Sequence, residues 1–183
     1  MKDERDATGF ILHPSAFILL VPHRIRIVIA RVITCSDAAS RGEREDRSGP
    51  AVRALLAENG FDVAAVMVVP DEMDAIAGAI ENATGDGARL VVTTGGTGIA
   101  PRDVTPEATA RVCDRTVPGF GEVMRTTSKM GPLSRAGAAT RGTALVVNLP
   151  GSVNGATECL RAILHLIPHA LELLSGARVE KHP

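Results

Sequence analysis

The sequence predicts an α/β fold, a three-layer arrangement of a mostly parallel sheet with helices on both faces. Three observations predict it. Short runs rich in Ile, Val and Leu alternate with segments whose apolar residues recur at helical spacing. The runs ARLVVTT and TALVVNL are apolar almost throughout, as in strands covered on both faces, rather than alternating as half-exposed strands do. Each run ends in a turn signal, and strand–helix alternation of this kind implies βαβ units.

Taken in order, Arg24 to Thr34 reads as the first strand, ending in Cys35-Ser36-Asp37. The polar stretch AASRGEREDRSG follows as a long loop. Pro50 suits a first helical position, where its missing N–H costs nothing, and Asn59-Gly60 stop that helix. Phe61 to Val69 reads as one strand closed by Pro70, with Asp71 as the N-cap of a helix reaching about Asn82. Ala88 to Thr94 is a buried strand running into Gly95-Gly96-Thr97-Gly98. Thr105-Pro106-Glu107 resembles a self-capped helix start. An amphipathic stretch after Pro118-Gly119 runs to about Met130, and Arg141-Gly142 reads as a turn. TALVVNL is the last strand, and Val153 to Leu174 is helical, with Pro168 kinking or dividing it.

At 183 residues the chain fits one ordinary domain. Residues 1–24 read as an extension outside the fold, and residues 25–183 as a single domain. Lys plus Arg number 20 against 21 Asp plus Glu, so no basic excess draws the chain onto nucleic acid. The absence of Trp and Tyr removes the platforms on which single strands stack. Phe10 to Val21 is interrupted by His13-Pro14 and too short for a bilayer, so no membrane association is expected. Three scattered cysteines suggest neither disulfides nor zinc, which makes a reducing cytoplasm the expected location.

In an open α/β sheet, ligands bind beyond the carboxyl ends of the strands, where loops and helix N-termini converge. Four segments fall there: Ser36-Asp37, Pro70-Asp71-Glu72, Gly95 to Asp103, and Pro150-Gly151-Ser152. The GGTG turn can bring backbone N–H groups close to an anion, but it is neither a P-loop nor a dinucleotide fingerprint. Asp71 could serve only as a helix cap, whereas Asp103 has less structural excuse, because Thr105 can cap its own helix. The run Arg41 to Arg47 reads as a solvated face, and Cys35 as packing, since no His lies in a rim loop to activate it.

The strings SDAASRGEREDRSGP, VPDE, TTGGTGIAPRDVTPEAT, LSR and NLPGS, in this order and spacing, resemble the molybdopterin adenylyltransferase family. That family comprises bacterial single-domain enzymes and the G domains of plant and animal molybdenum-cofactor proteins, including gephyrin. The resemblance covers about Ile25 to Gly176, and the N-terminal extension has no counterpart in it. It implies transfer of AMP from ATP to the terminal phosphate of molybdopterin, with Mg²⁺. It also implies that Asp71 and Asp103 are the functional aspartates and metal ligands. The backbone of Gly95, Gly96, Thr97 and Gly98 is expected to hold phosphate oxygens, and Ser36 and Asp37 to complete the nucleotide pocket. Asp37 could instead contact a ribose or pterin group. Ser134, Arg135, Pro150, Gly151 and Ser152 are expected to hold the pterin end, with Arg135 as an anion clamp. Glu107 lies in a first helical turn, where an acid is favoured anyway.

The resemblance further implies a homotrimer and a molybdate-insertion enzyme downstream. Two alternatives stay open: molybdate insertion itself, which normally comes with extra domains, and a scaffold that binds molybdopterin without transferring AMP.

Overall fold

A computed structural model describes residues 28–176. The expected extension, residues 1–24, and the first residues of the first expected strand lie outside the described residues. The fold is one seven-stranded mixed sheet with helices on both faces. Its parallel part is β1 (Ile29–Cys35), β2 (Asp62–Val63), β3 (Met67–Val69), β4 (Leu90–Thr94) and β7 (Ala144–Leu149). The antiparallel edge is β5 (Arg115–Thr116) and β6 (Gly137–Arg141). The spatial order is β2-β1-β4-β7-β6-β5, with β3 pairing β1 beyond β2.

The register explains why the central strands are apolar throughout. Val32 pairs with Val92 and Val92 with Val147, so these side chains share one face. That face is covered by α2 (Ser48–Glu58), α5 (Pro118–Arg125), α6 (Val153–Ile163) and α7 (Ile167–Leu174), which contribute Leu56, Met124, Leu160 and Ile167. Their neighbours Ile33, Val91 and Val146 point the other way, against Ile76 and Ile80 of α3 (Met73–Gly85) and Ala108 of α4 (Thr105–Val112). Every residue of β4 and β7 is buried, because both faces are occupied.

Five local expectations are corrected. Phe61 to Val69 is not one strand: the chain leaves the sheet between β2 and β3, where Arg53 Nε donates to Ala64 O and Val66 approaches Gly49. The helix expected from Pro50 begins at Ser48 after the N-cap Arg47, with Asp46 Oδ1 accepting from Ser48 Oγ and Gly49 N in its first turn. Asp71 does not cap α3, whose N-cap is Glu72 without a side-chain bond. Thr105 does not cap α4 either, since its hydroxyl donates to Gly95 O at 2.9 Å. The loop expected after Asp37 contains a short helix, α1 (Asp37–Ser40), with Ser36 Oγ as its cap.

The hairpin edge had no clear strand signal. β6 reads GAATR, small residues without alternation, yet it pairs with β7 across the turn at Gly142, φ +54°. Division of the C-terminal helix occurs at a 3₁₀ turn, Leu164–Leu166, and Pro168 sits in the first turn of α7, where it displaces no helical N–H.

Candidate active site

A cavity of about 710 Å³ opens at the carboxyl ends of β1, β4 and β7. Ser36, Asp71, Gly95, Gly96, Asp103, Gly151 and Ser152 line it, which brings four separate rim segments together. Asp37, Thr97, Gly98, Glu107, Ser134, Arg135 and Pro150 do not line it, and several of them hold the residues that do.

The glycine turn is built by collision avoidance. Gly95 has φ +104° and Gly96 φ +62°, and a Cβ would strike Cys35 O at the first and Thr105 Oγ1 at the second. The turn is anchored through Gly95 N to Leu149 O and Thr105 N to Gly96 O, both 3.1 Å. Among the described residues, no hydrogen bond uses the N–H of Gly96, Thr97 or Gly98. Three successive unpartnered donors, the first of them in the cavity wall, can make an anion nest. The NLPGS turn is pressed against it: Thr94 Oγ1 donates to Pro150 O at 2.8 Å, and a Cβ on Gly151 would lie 3.2 Å from Gly95 Cα. Ser152 Oγ caps α6 by accepting from Gly155 N.

Arg135 sits behind the turn. Its backbone N–H donates to Thr97 O and its Nε to Gly98 O, both at 2.7 Å, while the remaining nitrogens reach Asp103 O and Glu107 Oε1. The guanidinium expected as an anion clamp is therefore committed to the loop that carries Asp103. Deeper still, Asn148 Oδ1 accepts from the hydroxyls of Thr93 and Thr109, a buried polar tie between β4, β7 and α4.

The acidic groups divide into two kinds. Asp37 and Asp71 exchange hydrogen bonds, Asp37 N donating to Asp71 Oδ2 at 2.8 Å and Asp71 N to Asp37 Oδ1 at 3.0 Å. Asp37 also accepts a forked pair from Arg102, whose guanidinium holds the carboxyl below the usual carboxylate range. Asp71 moves the opposite way: burial raises its pKa, and the charges of Asp37 and Asp103 raise it further. Its Oδ1 is buried and has no hydrogen-bond partner among the described residues. It lies against Gly96, whose Cβ would come within 3.2 Å of it. Asp103 Oδ2 accepts from Ala100 N at 2.8 Å.

A buried carboxylate oxygen without a donor, near a second carboxylate and an anion nest, suits a hard cation shared with phosphate oxygens. The Mg²⁺ that the sequence resemblance implies fits this donor set. Among the described residues no cluster of three or more His, Cys, Asp or Glu is assembled. Cys35 is not a competing nucleophile, since burial pushes its thiol up to about 12.

Sequence reasoning missed part of the wall. Arg44, Asp46 and Ser48 line the cavity, although the run Arg41 to Arg47 had read as a solvated face. Arg44 Nη2 donates to Ser36 Oγ at 3.1 Å, and Asp46 Oδ2 accepts from Thr34 Oγ1 at 2.7 Å. The available signal was the acid three residues before Gly49, a capping pattern. Arg102, between Pro101 and Asp103, was also passed over.

Comparison with known proteins agrees with the fold. A family described as a probable molybdopterin binding domain matches residues 31–169. A molybdopterin adenylyltransferase of Helicobacter pylori is 43% identical over 152 residues, 79% of this chain and 86% of that protein. Gephyrin of Dictyostelium discoideum is 38% identical over 162 residues, 81% of this chain and 23% of gephyrin. The crystal structure of the molybdopterin biosynthesis enzyme MoaB from Thermus thermophilus superposes with a TM-score of 0.78 at 45% identity, covering 84% of this chain and all of that one. With a match that spans the sheet from β1 to α7 and includes every wall of the cavity, the chain belongs to the molybdopterin binding domain family.

Proposed function

We infer that this chain transfers AMP from ATP to the terminal phosphate of molybdopterin, releasing pyrophosphate, as a step of molybdenum cofactor biosynthesis. One observation carries the reading. The backbone N–H of Gly96, the first of three with no hydrogen-bond partner among the described residues, stands in the cavity wall beside the buried Oδ1 of Asp71, which likewise has none, so anion-seeking and cation-seeking groups share one wall. That wall suits a nucleoside triphosphate bound with a divalent cation. The identity to an adenylyltransferase over most of the chain supplies the second substrate.

The chemistry asks little of acids and bases. A phosphate monoester has a second pKa near roughly 6, so the attacking oxygen is largely deprotonated at neutral pH. What remains is to align two anions at the α-phosphorus and to offset charge on the departing pyrophosphate. The glycine turn would hold phosphate oxygens through donors that need no reorganisation. Asp71 and Asp103 would hold Mg²⁺, which supplies charge neutralisation between phosphate oxygens when bound. Ser36 is assigned to the nucleotide end, with Asp37 behind it against Asp71, and Ser134, Pro150, Gly151 and Ser152 to the pterin end. Arg135, paired with Glu107, serves by stiffening the glycine loop.

The reading extends to a homotrimer in the cytoplasm that passes adenylylated molybdopterin to a molybdate-inserting enzyme. Ile99, Met130 and Leu133 are 71%, 66% and 50% exposed, apolar surface that favours self-association. The described cysteines are all free, and no described helix is long and apolar enough to cross a membrane. Light scattering at a monomer mass would remove the trimer.

The deciding experiment measures pyrophosphate release from ATP and Mg²⁺ with and without molybdopterin, while chromatography follows the adenylylated product. Release that depends on molybdopterin is expected. Binding of molybdopterin without transfer would replace the enzyme by a scaffold.

A further inference from the structure

Asp37 does not line the cavity, and both of its carboxylate oxygens are engaged. Oδ1 accepts from Asp71 N at 3.0 Å and Arg102 Nη2 at 2.9 Å, and Oδ2 accepts from Arg102 Nε at 3.0 Å. The return bond, Asp37 N to Asp71 Oδ2 at 2.8 Å, closes a two-point link between the β1–α1 junction and the β3–α3 loop. That link holds Asp71 Oδ2, so the carboxylate cannot turn freely and Oδ1 stays against Gly96 with no donor. Arg102 adds a third loop. It precedes Asp103 directly, and its Nη2 also reaches Glu72 Oε1 at 2.8 Å, on the residue after Asp71. The ion pair is partly exposed, with Arg102 at 56%, and such pairs add little to fold stability. Its connections have another consequence, because one guanidinium spans the loops that carry Asp71 and Asp103.

We propose that Asp37 and Arg102 are positioning residues that act through Asp71, fixing its free oxygen and its separation from Asp103, rather than groups that touch a substrate. The proposal rests on the adenylyl-transfer reading above. Supporting groups of this kind hold the orientation of ligating carboxylates, and their removal costs about 10- to 100-fold in metal affinity or activity. Glu72 shares the guanidinium but is not bonded to Asp71 in the same way, so its loss has a smaller effect.

The test uses the full chain and its Arg102→Gln, Arg102→Lys and Asp37→Asn variants, with the double variant R102Q/D37N. Mn²⁺ binding is titrated by electron paramagnetic resonance in the presence of α,β-methylene ATP, which cannot transfer AMP. In parallel, kcat and the KM for molybdopterin are measured, and thermal melts check the fold. Expected are a weakening of Mn²⁺ binding by about 10- to 100-fold in R102Q, a fall of kcat in the same range and a KM within about twofold. R102K recovers part of the loss, since ammonium can reach one carboxylate but cannot fork. The double variant is no worse than the poorer single one, because both act in one chain of bonds.

Unchanged Mn²⁺ binding in a folded R102Q overturns the proposal. So does a raised KM at unchanged kcat, which would mark direct substrate contact, or additive losses in the double variant. Should D37N fail to fold, R102Q, altered at an exposed side chain, decides alone. An unvaried chain that neither binds Mn²⁺ with the analogue nor forms product would instead remove the reading beneath. Turnover by the unvaried chain with an unaffected R102Q removes only this inference.

Discussion

The two ends of the parallel sheet treat polar groups in opposite ways. At the amino ends of β4 and β7 lies a more open hollow of about 540 Å³, lined by Glu81, Arg89, Asp114 and Arg141 among others. Its charged groups are spent on the fold. Arg89 donates to Thr143 O at 2.7 Å and to Leu171 O at 2.9 Å, tying β4 to β7 and to α7. Arg141 reaches Thr84, Val112 O and Glu81, and Asp114 accepts from Gly142 N. At the carboxyl ends, three N–H groups and one buried carboxylate oxygen have no partner among the described residues. Satisfied charges mark where the sheet is closed, and unsatisfied ones mark where a ligand completes it.

The largest expected effect breaks the carboxyl end alone. Asp103→Asn keeps the fold and ATP binding while lowering kcat by about 10²- to 10³-fold, as loss of a charge-stabilising group does; full turnover would remove Asp103 from metal binding. A glycine pair sharpens the contrast next. Gly96→Ala meets both a positive φ and the Thr105 hydroxyl, so it costs about 1–3 kcal/mol and activity together. Gly142→Ala, also at positive φ but with nothing within 4 Å, costs about 1 kcal/mol and leaves kcat unchanged. Denaturant melts and turnover measured on both variants separate the two ends.

Arg89→Ala should behave as a purely structural change, losing about 1–3 kcal/mol because charged hydrogen bonds to two carbonyls disappear, at constant kcat. The smallest effect has the opposite sign. Because the folded pKa of Asp71 lies above its ordinary value, the folded state holds that proton more tightly than the unfolded state. Ionisation of Asp71 therefore removes stability as pH rises from the unfolded pKa, about 3.9, through the raised folded one. Asp71→Asn should raise Tm at pH 7 without divalent cations, while lowering transfer no further than Asp103→Asn does. The gain should vanish below about pH 3.5, where wild-type Asp71 is protonated in both states; equal melting at both pH values would remove the strain assigned to Asp71.

Much of the site was legible because it is local in sequence. Gly95-Gly96 follow directly on a buried strand, so their positive φ could be read from residue type alone. Asp71 follows closely on β3 and Asp103 lies in the loop from β4 to α4, and topology carries both loops to one rim. What could not be read is what those groups bond. Thr105 and Asp71 both look like helix caps, yet the one donates to Gly95 O and the other exchanges bonds with Asp37, 34 positions away. A local cap and a distant partner compete for the same polar atom, and only packing decides between them.

The same division holds for the fold. Apolar continuity in Leu90–Thr94 and Ala144–Leu149 by itself determined that these strands are central, since burial on both faces requires it. The residues GAATR carry no such demand, and their strand exists because β7 presents an open edge to a chain returning through Gly142. Likewise, the sequence by itself determined which residues could meet an anion or a cation. Tertiary structure alone decided that Arg135 and Arg102 hold loops, that Arg44 enters the cavity wall, and that Asp71 keeps one oxygen free. The physical reason is that backbone conformation follows from neighbours along the chain, whereas the satisfaction of a charge depends on every group the fold brings within about 3 Å.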